Sequence, residues 1–353
     1  GGLPPFERTR PIIFALGHDE EVGGTSGHKK IVQHLKTQGI HELEFVHDEG
    51  LPVLNKGATA MNPNFDLALV GLAEKGFLSV RIECNSTGGH GSQPPSEGTA
   101  ISLLSAGLHA IQQNLPVPRL PAPLREMIQT TAHTMPPLKA FVARRLDYFG
   151  PILASSLAAR DGRAAASTRT TAAATMVGGG FLDAALPESA WAVVNHRLLP
   201  GDTVDQVLSR DRHLVRLALP QKHQDMCRVG VNEGSHVQEA SAVSDSNHLG
   251  FAVIAGALRA AFGDAVVISG GLFIAASDSK HYSSLAPTRI YKHFPFKWSG
   301  ADLDTIHGTD ERVSIASLGV ASRYFAYVLV AAALPAASLH EMAMPLYNPG
   351  IAL

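Results

Sequence analysis

The order of strand-like and helix-like segments between residues 77 and 231 constrains the fold of this 353-residue chain most. The run Phe77–Glu83 alternates apolar and polar residues, which is typical of a half-exposed strand. The segments that follow it predict a helix, two strands, a second helix and a last strand, at 99–111, 171–177, 190–198, 204–214 and 226–231. This β-α-β-β-α-β order predicts a compact α+β domain.

The segments on either side predict an α/β domain that holds the first one as an insert. Pro11–Leu16 is a continuous apolar run, typical of a strand buried on both faces. A helix pattern and a second strand, Leu43–Val46, follow it, so the two strands are predicted to be parallel. We therefore place the α/β domain at residues 1–76 and 240–353, and the insert at 77–239.

Composition excludes several classes of protein. Hydrophobic residues make up 45% of the chain and the formal net charge is −2, so neither nucleic acid nor an anionic membrane is an expected partner. The two cysteines, Cys84 and Cys227, are expected to be buried thiols. The longest apolar run, Val313–Leu334, is interrupted by Arg323 and several serines, and is interpreted as a core helix. The proline- and arginine-rich segment 115–167 receives no role.

Acidic side chains follow the two predicted strands of the α/β domain. Glu20 and Glu21 come after the first strand, and Asp48 and Glu49 come after the second. Open α/β sheets bind ligands at the carboxyl ends of such strands. One carboxylate can bind a metal while its neighbour takes a proton from metal-bound water. Adjacent acids are also common on solvated surfaces, Asp48 is equally a turn residue, and Glu49 competes with it for the same role.

Three further residues have types and settings that suit catalysis or binding. His307 stands on a glycine-flanked turn before a helix, and neutral imidazole is a good zinc ligand. His90, in a glycine-rich turn, is placed either to donate to an oxyanion or simply to form the turn. Arg197 follows a strand and is either a bidentate partner for a carboxylate or a surface arginine.

Six segments, in this order along nearly the whole chain, together resemble the M20 metallopeptidases and most of all their carboxypeptidase S branch. The segments are 14–24, 46–50, 86–94, 193–197, 277–282 and 306–311. The resemblance implies an α/β, zinc-exopeptidase-like catalytic domain with an inserted α+β (ferredoxin-like) lid or dimerisation domain. It also implies a homodimer formed through that lid.

The resemblance assigns roles in a centre that holds two Zn²⁺ ions per intact subunit. Glu20 matches the general base, Glu21 a ligand of one zinc, Asp48 a ligand of the other, and His307 the late histidine ligand. The family's first histidine ligand and its bridging aspartate precede the Glu-Glu pair by tens of residues, and only 19 residues precede Glu20. The chain is therefore expected to be truncated at its N-terminus, with an incomplete ligand set and impaired activity.

The resemblance also assigns residues that contact the substrate. His90 matches the lid histidine that helps to stabilise the tetrahedral intermediate. Asn195 and Arg197 match lid residues on the substrate, with Arg197 at its terminal carboxylate. Lys280 stands where relatives usually have arginine, so it keeps the charge and loses the planar fork.

The function expected from this resemblance is a metal-dependent carboxypeptidase that removes the last residue of short peptides of the Gly-X type. Two alternatives remain open: an N-acyl amino acid hydrolase, and an inactive truncated or binding-only homologue. The substrate is thus a short peptide or an N-acyl amino acid. The carboxypeptidase S branch includes vacuolar enzymes, so a vacuolar or secretory location is expected.

Overall fold

A computed structural model describes residues 10–59, 64–96 and 98–334 of the chain. The helices are α1 (His28–Thr37), α2 (Ala100–Gln113), α3 (Ala122–Thr130), α4 (Pro137–Arg144), α5 (Leu146–Ala158), α6 (Gly162–Thr168), α7 (Val204–Ala218), α8 (Leu249–Phe262), α9 (Gly300–Leu303) and α10 (Ile315–Ala333). The strands are β1 (Val46–Leu54), β2 (Leu67–Glu74), β3 (Gly76–Asn85), β4 (Gly89–His90), β5 (Thr171–Gly179), β6 (Ala185–Leu186), β7 (Ser189–Leu198), β8 (Cys227–Val231), β9 (Val267–Phe273) and β10 (Ile290–Trp298).

The chain divides into two compact units. The first unit comprises Gly1–Ala73, Ala122–Leu146 and Ala242–Leu353, and the second comprises Glu74–Pro121 and Asp147–Ser241. The outer limits of the second unit lie within three residues of those expected for the insert. The segment 122–146, predicted to belong to the insert, lies in the first unit.

Packing explains why residues 122–146 belong to the first unit. Leu124 and Ile128 on α3 are buried. Glu126, on the same helix, accepts a hydrogen bond from the backbone N–H of Gly270 on β9 at 3.2 Å and one from Ser246 at 3.0 Å. These contacts tie α3 to the sheet of the first unit through both apolar burial and a carboxylate.

The first unit is built on a mixed four-stranded sheet in the order β1-β10-β2-β9. Strands β1 and β10 are parallel, with Val46 opposite Ile290, whereas β2 runs antiparallel to β10. Every residue of β2 is buried, as expected for a strand covered on both faces. Helices α8 and α10 pack against this sheet, and their apolar side chains form a core around Tyr291 and Tyr324.

The strand that we predicted at Pro11–Leu16 is absent. Residues 11–17 have no regular secondary structure, and Phe14 and Leu16 are exposed by 72% and 87%. The helix after it is present as α1, but β1 finds its parallel partner in β10. An apolar run becomes a strand only where neighbouring backbone groups pair with it, and this segment pairs with none of the described strands.

The second unit has the architecture expected from the pattern of its segments. Four antiparallel strands in the order β5-β7-β3-β8 form its sheet, and α2 and α7 provide the helical layer. Ile82 on β3, Leu104 on α2, Val194 on β7 and Val215 on α7 meet in one buried cluster. The predicted β-α-β-β-α-β order is therefore confirmed, with α3 to α6 between α2 and β5.

The expectation that the cysteines are free thiols was wrong. Cys84 and Cys227 form a disulfide. The reason is the antiparallel pairing of β3 with β8, which places the two residues directly opposite each other, with their Cα atoms 4.0 Å apart. The separation of 143 residues in sequence carried no sign of this pairing.

The two ends of the second unit are hydrogen-bonded to each other. The backbone N–H of Ser241 donates to the carbonyl of Glu74 at 3.1 Å, and the Ser241 hydroxyl accepts from the N–H of Glu74 at 2.8 Å. Phe77 and Gln238 exchange two backbone hydrogen bonds, of 2.8 and 2.9 Å. The second unit therefore begins and ends at two hydrogen-bonded pairs, Glu74–Ser241 and Phe77–Gln238, which together form a short paired stem.

Helix α10 is long and apolar enough to cross a membrane, by length and composition only. Its Ala321, Tyr324 and Val328 are buried, and Tyr324 belongs to the core of the first unit. A core helix of a globular domain passes the same test of length and hydropathy. Among the described residues this is the one helix that passes it.

Candidate active site

Glu20 and Glu21 lie on a tight turn. They form a short 3-10 helix, Glu20–Val22, that ends at Gly23 with φ of 103°. The carboxylate of Asp19 accepts a hydrogen bond from the N–H of Ser26 at 2.7 Å, and this bond is the main cause of its lowered pKa. Glycine tolerates the positive φ that closes this turn. The sequence therefore presents two adjacent carboxyl groups on a braced loop.

Glu20 is the residue of this turn with the most perturbed acidity. Burial is the main cause that raises the pKa of its carboxyl group to about 7, and the negative charges of Glu49, Glu21 and Asp278 raise it further. Lys280 acts in the opposite direction. A carboxyl group with a pKa near neutrality can both take up and release a proton at physiological pH.

Asp48 lies near the start of β1, which begins at Val46, so the prediction that it follows a strand ending there was wrong. Its carboxylate is held by two backbone N–H groups. Ser279 donates to its Oδ2 at 2.8 Å, and Glu49 donates to its Oδ1 at 2.9 Å. Burial raises the pKa of the neighbouring Glu49 carboxyl, and the charges of Asp48, Glu21 and Asp278 raise it further. Negative charges from three segments of the first unit therefore act on one another here, which is a setting that attracts a cation.

His307 and Glu21, both predicted as metal ligands, are brought together. The Nε2 atom of His307 lies 3.6 Å from Oε1 of Glu21, and both side chains are largely exposed. His307 has φ of 58°, which is uncommon for a residue other than glycine. The positive charge of a protonated His307 would also lower the pKa of Glu49, so this pair is electrostatically linked to β1.

The residues predicted to contact the substrate from the insert lie in the second unit. His90 is exposed on β4, with its Nδ1 2.8 Å from the hydroxyl of Ser92. On β7, the Asn195 amide donates to Ser79 at 3.3 Å, and the Arg197 guanidinium lies over the ring of Phe77 at 4.8 Å. Burial lowers the pKa of Arg197. Their roles on a substrate stay predictions.

Comparison with known proteins places these features in a family. Residues 72–223 match the peptidase dimerisation domain of the M20 peptidases. The chain is 32% identical over 308 residues to the N-fatty-acyl-amino acid synthase/hydrolase PM20D1 of Bos taurus, covering 87% of this chain and 58% of that protein. It is 30% identical over 315 residues to the carboxypeptidase S-like 2 protein of Dictyostelium discoideum, covering 88% and 57%. Residues 72–223 thus carry an M20 peptidase dimerisation domain, and most of the chain is similar to the two relatives named here.

Solved structures of M20 proteins show the same fold. The M20 family metallo-carboxypeptidase Sso-CP2 from Sulfolobus solfataricus superposes with a TM-score of 0.56 at 13% identity, over 88% of this chain and 68% of that one. Human carnosine dipeptidase 1 gives 0.53 at 14% identity, over 92% and 64%. The fold prediction, a catalytic domain with an inserted lid or dimerisation domain, is thereby confirmed. The chain spans less than three fifths of the length of the two curated relatives named above.

Similarity to M20 metallopeptidases implies a divalent metal, so the donor set can be tested against zinc. Glu21 and His307 are two suitable donors at a separation that two ligands of one ion can adopt. Within residues 10–59, 64–96 and 98–334, no group of three or more His, Cys, Asp or Glu side chains is arranged to hold a metal ion. A catalytic zinc site normally has three protein ligands. The described residues therefore do not by themselves fit the zinc centre, and no reaction step is derived through it.

Sequence reasoning missed three residues that contact the Glu20 turn or the segment beside Asp48. These are His28, at the start of α1, and Asp278 and His281, on the short 3-10 helix Asp278–Tyr282. Asp278 is buried and lies within 3.9 Å of both imidazoles. Within the motif 277–282, the resemblance assigns a role to Lys280 alone. The signal available in the sequence was an aspartate two positions from that lysine in an otherwise neutral run.

Proposed function

We propose that this protein is a hydrolase that cleaves the last peptide bond of short Gly-X type peptides, with Glu20 as general base. The observation that carries the proposal is the turn that presents Glu20 beside the Glu21–His307 pair, with the negative charges of Glu21 and Glu49 acting on Glu20. The similarity to a carboxypeptidase S-like protein supports the choice of substrate. Zinc enters the proposal only through the similarity to M20 metallopeptidases: Glu21 and His307 would supply two ligands to one ion, and the described residues supply no third.

The proton transfers follow from the acidity of Glu20. In its ionised form, Glu20 takes a proton from the water whose oxygen attacks the carbonyl carbon of the scissile bond. When the C–N bond breaks, the same carboxyl group returns the proton to the leaving amine. Lys280 offsets part of the negative charge near Glu20 and so acts to lower the pKa of that carboxyl group. Arg197, Asn195 and His90 are proposed to bind the carboxylate end of the substrate and to support the oxyanion.

Hydrolysis of N-acyl amino acids is a second candidate. The Bos taurus relative, an N-fatty-acyl-amino acid synthase/hydrolase, supports it. Both substrate classes contain an amide bond to an amino acid with a free carboxylate, so one set of residues would serve both. They differ on the acyl side, where one substrate has a short peptide and the other a fatty chain.

A single assay separates the two candidates from an inactive protein. The purified chain, supplied with Zn²⁺, is incubated with N-blocked Gly-Leu and with N-oleoyl-leucine, and released leucine is measured by mass spectrometry. We expect faster release from the peptide, and a loss of about 10² to 10⁴-fold in kcat for Glu20→Gln. The control is Glu233→Gln, an exposed carboxyl group in the second unit. Faster release from the oleoyl substrate would select the second candidate, and no release from either substrate would reject both.

We also propose a vacuolar or secretory location. The Cys84–Cys227 disulfide supports it, because disulfides persist in oxidising compartments and are rare in the cytosol. Rapid alkylation of cell extracts followed by non-reducing electrophoresis tests the proposal. A fully reduced native pool of the protein would contradict it.

A further inference from the structure

One short segment contacts both parts of the candidate site in the first unit. This segment, Ser277–Tyr282, donates from the N–H of Ser279 to Oδ2 of Asp48 at 2.8 Å. From the same segment, Nε2 of His281 donates to the carbonyl of Gly23 at 3.0 Å. Gly23 closes the turn that carries Glu20. The segment therefore joins the turn of the proposed base to the strand of Asp48.

A buried carboxylate lies at the centre of this segment. Asp278 is only 4% exposed. Its Oδ2 lies 3.4 Å from Nε2 of His28, and its Oδ1 lies 3.9 Å from Nε2 of His281. The other nitrogen of His28, Nδ1, lies 2.9 Å from the hydroxyl of Tyr282. The Asp278 carboxylate thus lies near both imidazoles. Each imidazole also has a separate hydrogen-bond partner, Tyr282 for His28 and Gly23 for His281.

The backbone of the Glu20 turn approaches this cluster too closely for a side chain. A Cβ atom on Gly24 would come within 2.8 Å of Nε2 of His281 and would overlap Oδ1 of Asp278. On the other side, a Cβ on Gly17 would come within 2.7 Å of Nε2 of His28. Contacts this close leave the turn little freedom to move relative to Asp278. Burial of Asp278 is accordingly the main cause that raises the pKa of its carboxyl group.

We propose that Asp278, His28 and His281 are positioning residues that fix the position of the Glu20 turn relative to Asp48. This inference deepens the proposed function and rests on it, because the position of the turn matters for catalysis only if Glu20 is the general base. The Asp278 carboxylate attracts the Nε2–H groups of both imidazoles, and His281 contacts the turn through its hydrogen bond to the carbonyl of Gly23. None of the three contacts the substrate in this scheme.

A matched pair of variants tests the hydrogen bond from His281. His281→Leu removes the donor, whereas His281→Gln keeps an N–H near the position of Nε2. Amide hydrogen exchange is followed by mass spectrometry over residues 19–27, where the N–H groups of Gly23 and Gly24 are bonded to Glu20 and Asp19 within the turn. His34→Gln, exposed on α1, is the control.

We expect exchange in this peptide to be about three to ten times faster in His281→Leu, since one net hydrogen bond is lost. Exchange in His281→Gln should stay within about twofold of the wild-type rate, and so should that of the control. Asp278→Asn should accelerate exchange as His281→Leu does, because the neutral amide no longer attracts the Nε2–H groups of the two imidazoles electrostatically. Equal acceleration by leucine and glutamine, or none by either, overturns the proposal.

Kinetics then separate positioning from the proposed function. With a hydrolysed substrate, His281→Leu should lower kcat and leave KM within about twofold, with kcat restored by His281→Gln. A parallel rise of KM in both variants would overturn positioning. If the wild-type chain hydrolyses neither substrate, the proposed function fails, and the exchange rates still decide whether the three residues hold the turn.

Discussion

At the scale of single residues, Glu20 is a carboxyl group that the fold makes harder to ionise. Its raised pKa has a consequence for stability as well as for proton transfer. The folded state holds the Glu20 proton more tightly than the unfolded state, so this residue favours folding at low pH. That contribution is lost as the pH rises from the ordinary value of 4.5 towards about 7.

Glu20→Gln should therefore stabilise the protein, and more so at higher pH. Glutamine does not ionise, so the variant avoids the repulsion from Glu49, Glu21 and Asp278. We expect its Tm to exceed the wild-type Tm by an amount that grows between pH 4.5 and 7 and then levels off. Differential scanning fluorimetry across this range measures it, with Glu233→Gln as control. A difference in Tm independent of pH would show that Glu20 is not the group responsible.

Lys75 is a buried cation in the second unit. It is 1% exposed, and its Nζ donates to the carbonyls of Ala166 and Arg169 at 2.7 and 2.9 Å. Burial is the main cause that lowers the pKa of its ammonium group to about 8. Because the unfolded chain binds this proton more tightly, folding is penalised below pH 8 and recovers as the pH rises towards 10.5.

The stability of the wild-type protein relative to Lys75→Met should accordingly rise between pH 8 and 10.5. The full window corresponds to at most about 3 kcal/mol, from the difference between the two pKa values. Urea unfolding at pH 7.5 and pH 10 measures the change, and Lys222→Met, exposed in the same unit, is the control. A constant difference between wild type and Lys75→Met at both pH values would contradict the prediction.

At the scale of elements, the strands β3 and β8 are joined twice, by their ladder and by the Cys84–Cys227 disulfide. A covalent link across a separation of 143 residues restricts the unfolded chain strongly. Loss of a native disulfide from a small domain typically costs about 2 to 5 kcal/mol.

The variant Cys84→Ala/Cys227→Ala should therefore unfold at a lower denaturant concentration than the wild-type protein. Dithiothreitol should lower the midpoint of the wild type towards that of the variant and leave the variant unchanged. Guanidinium unfolding with and without reductant measures both effects. Equal midpoints for all four samples would mean that the link does not stabilise the unit.

Patterns of alternating residues predicted the elements of the second unit well. Strands β3 and β7 lie inside the sheet with a neighbour on each side, and the alternation in their sequences agrees with the alternation in their burial over much of their length. The apolar run Pro11–Leu16 failed because its strand character depended on a partner that its own residues cannot specify. The disulfide was not predicted for the same reason. The spacing of residues within each strand does not specify the register between two strands that are distant in sequence.

The residues of the candidate site also differ in whether the sequence could predict them. Motif resemblance selected Glu20, Glu21, Asp48 and His307, and the structure shows the Glu21–His307 pair and the electrostatic influence of these groups on one another. Asp278, His28 and His281 were not predicted from the sequence, because the burial of a charged side chain depends on how distant segments pack. Whether His90, Asn195 and Arg197 act on a substrate is a question for the experiments proposed above.

At the scale of the whole molecule, the match to a dimerisation domain leads us to expect a homodimer. Strand β5 is an outer strand of the sheet in the second unit, and its Met176 and Val177 are 55% and 72% exposed. An outer strand with exposed apolar side chains is a template for pairing with another chain. We therefore predict that the two copies of a homodimer contact each other at β5.

Light scattering after size exclusion should show a dimer for the wild-type chain and a monomer for Val177→Lys. A lysine on an outer strand discourages pairing between edges. Val231→Lys, on the opposite outer strand β8, is the matched control and should stay dimeric. A dimer in both variants would show that the interface does not include β5. A monomeric wild-type chain would contradict the prediction of a homodimer.

The paired stem at Glu74 and Ser241 also bears on how such a protein can be rebuilt. A module whose two ends touch can be exchanged by recombination for another of different size, because the host chain needs only one point of attachment. Helix α3 complicates that exchange, since it is encoded within the module and belongs to the host. A chimera made by cutting at the stem alone would leave the Gly270 amide on β9 without the carboxylate of Glu126. Transplanting this module therefore requires the recipient to supply its own version of that helix.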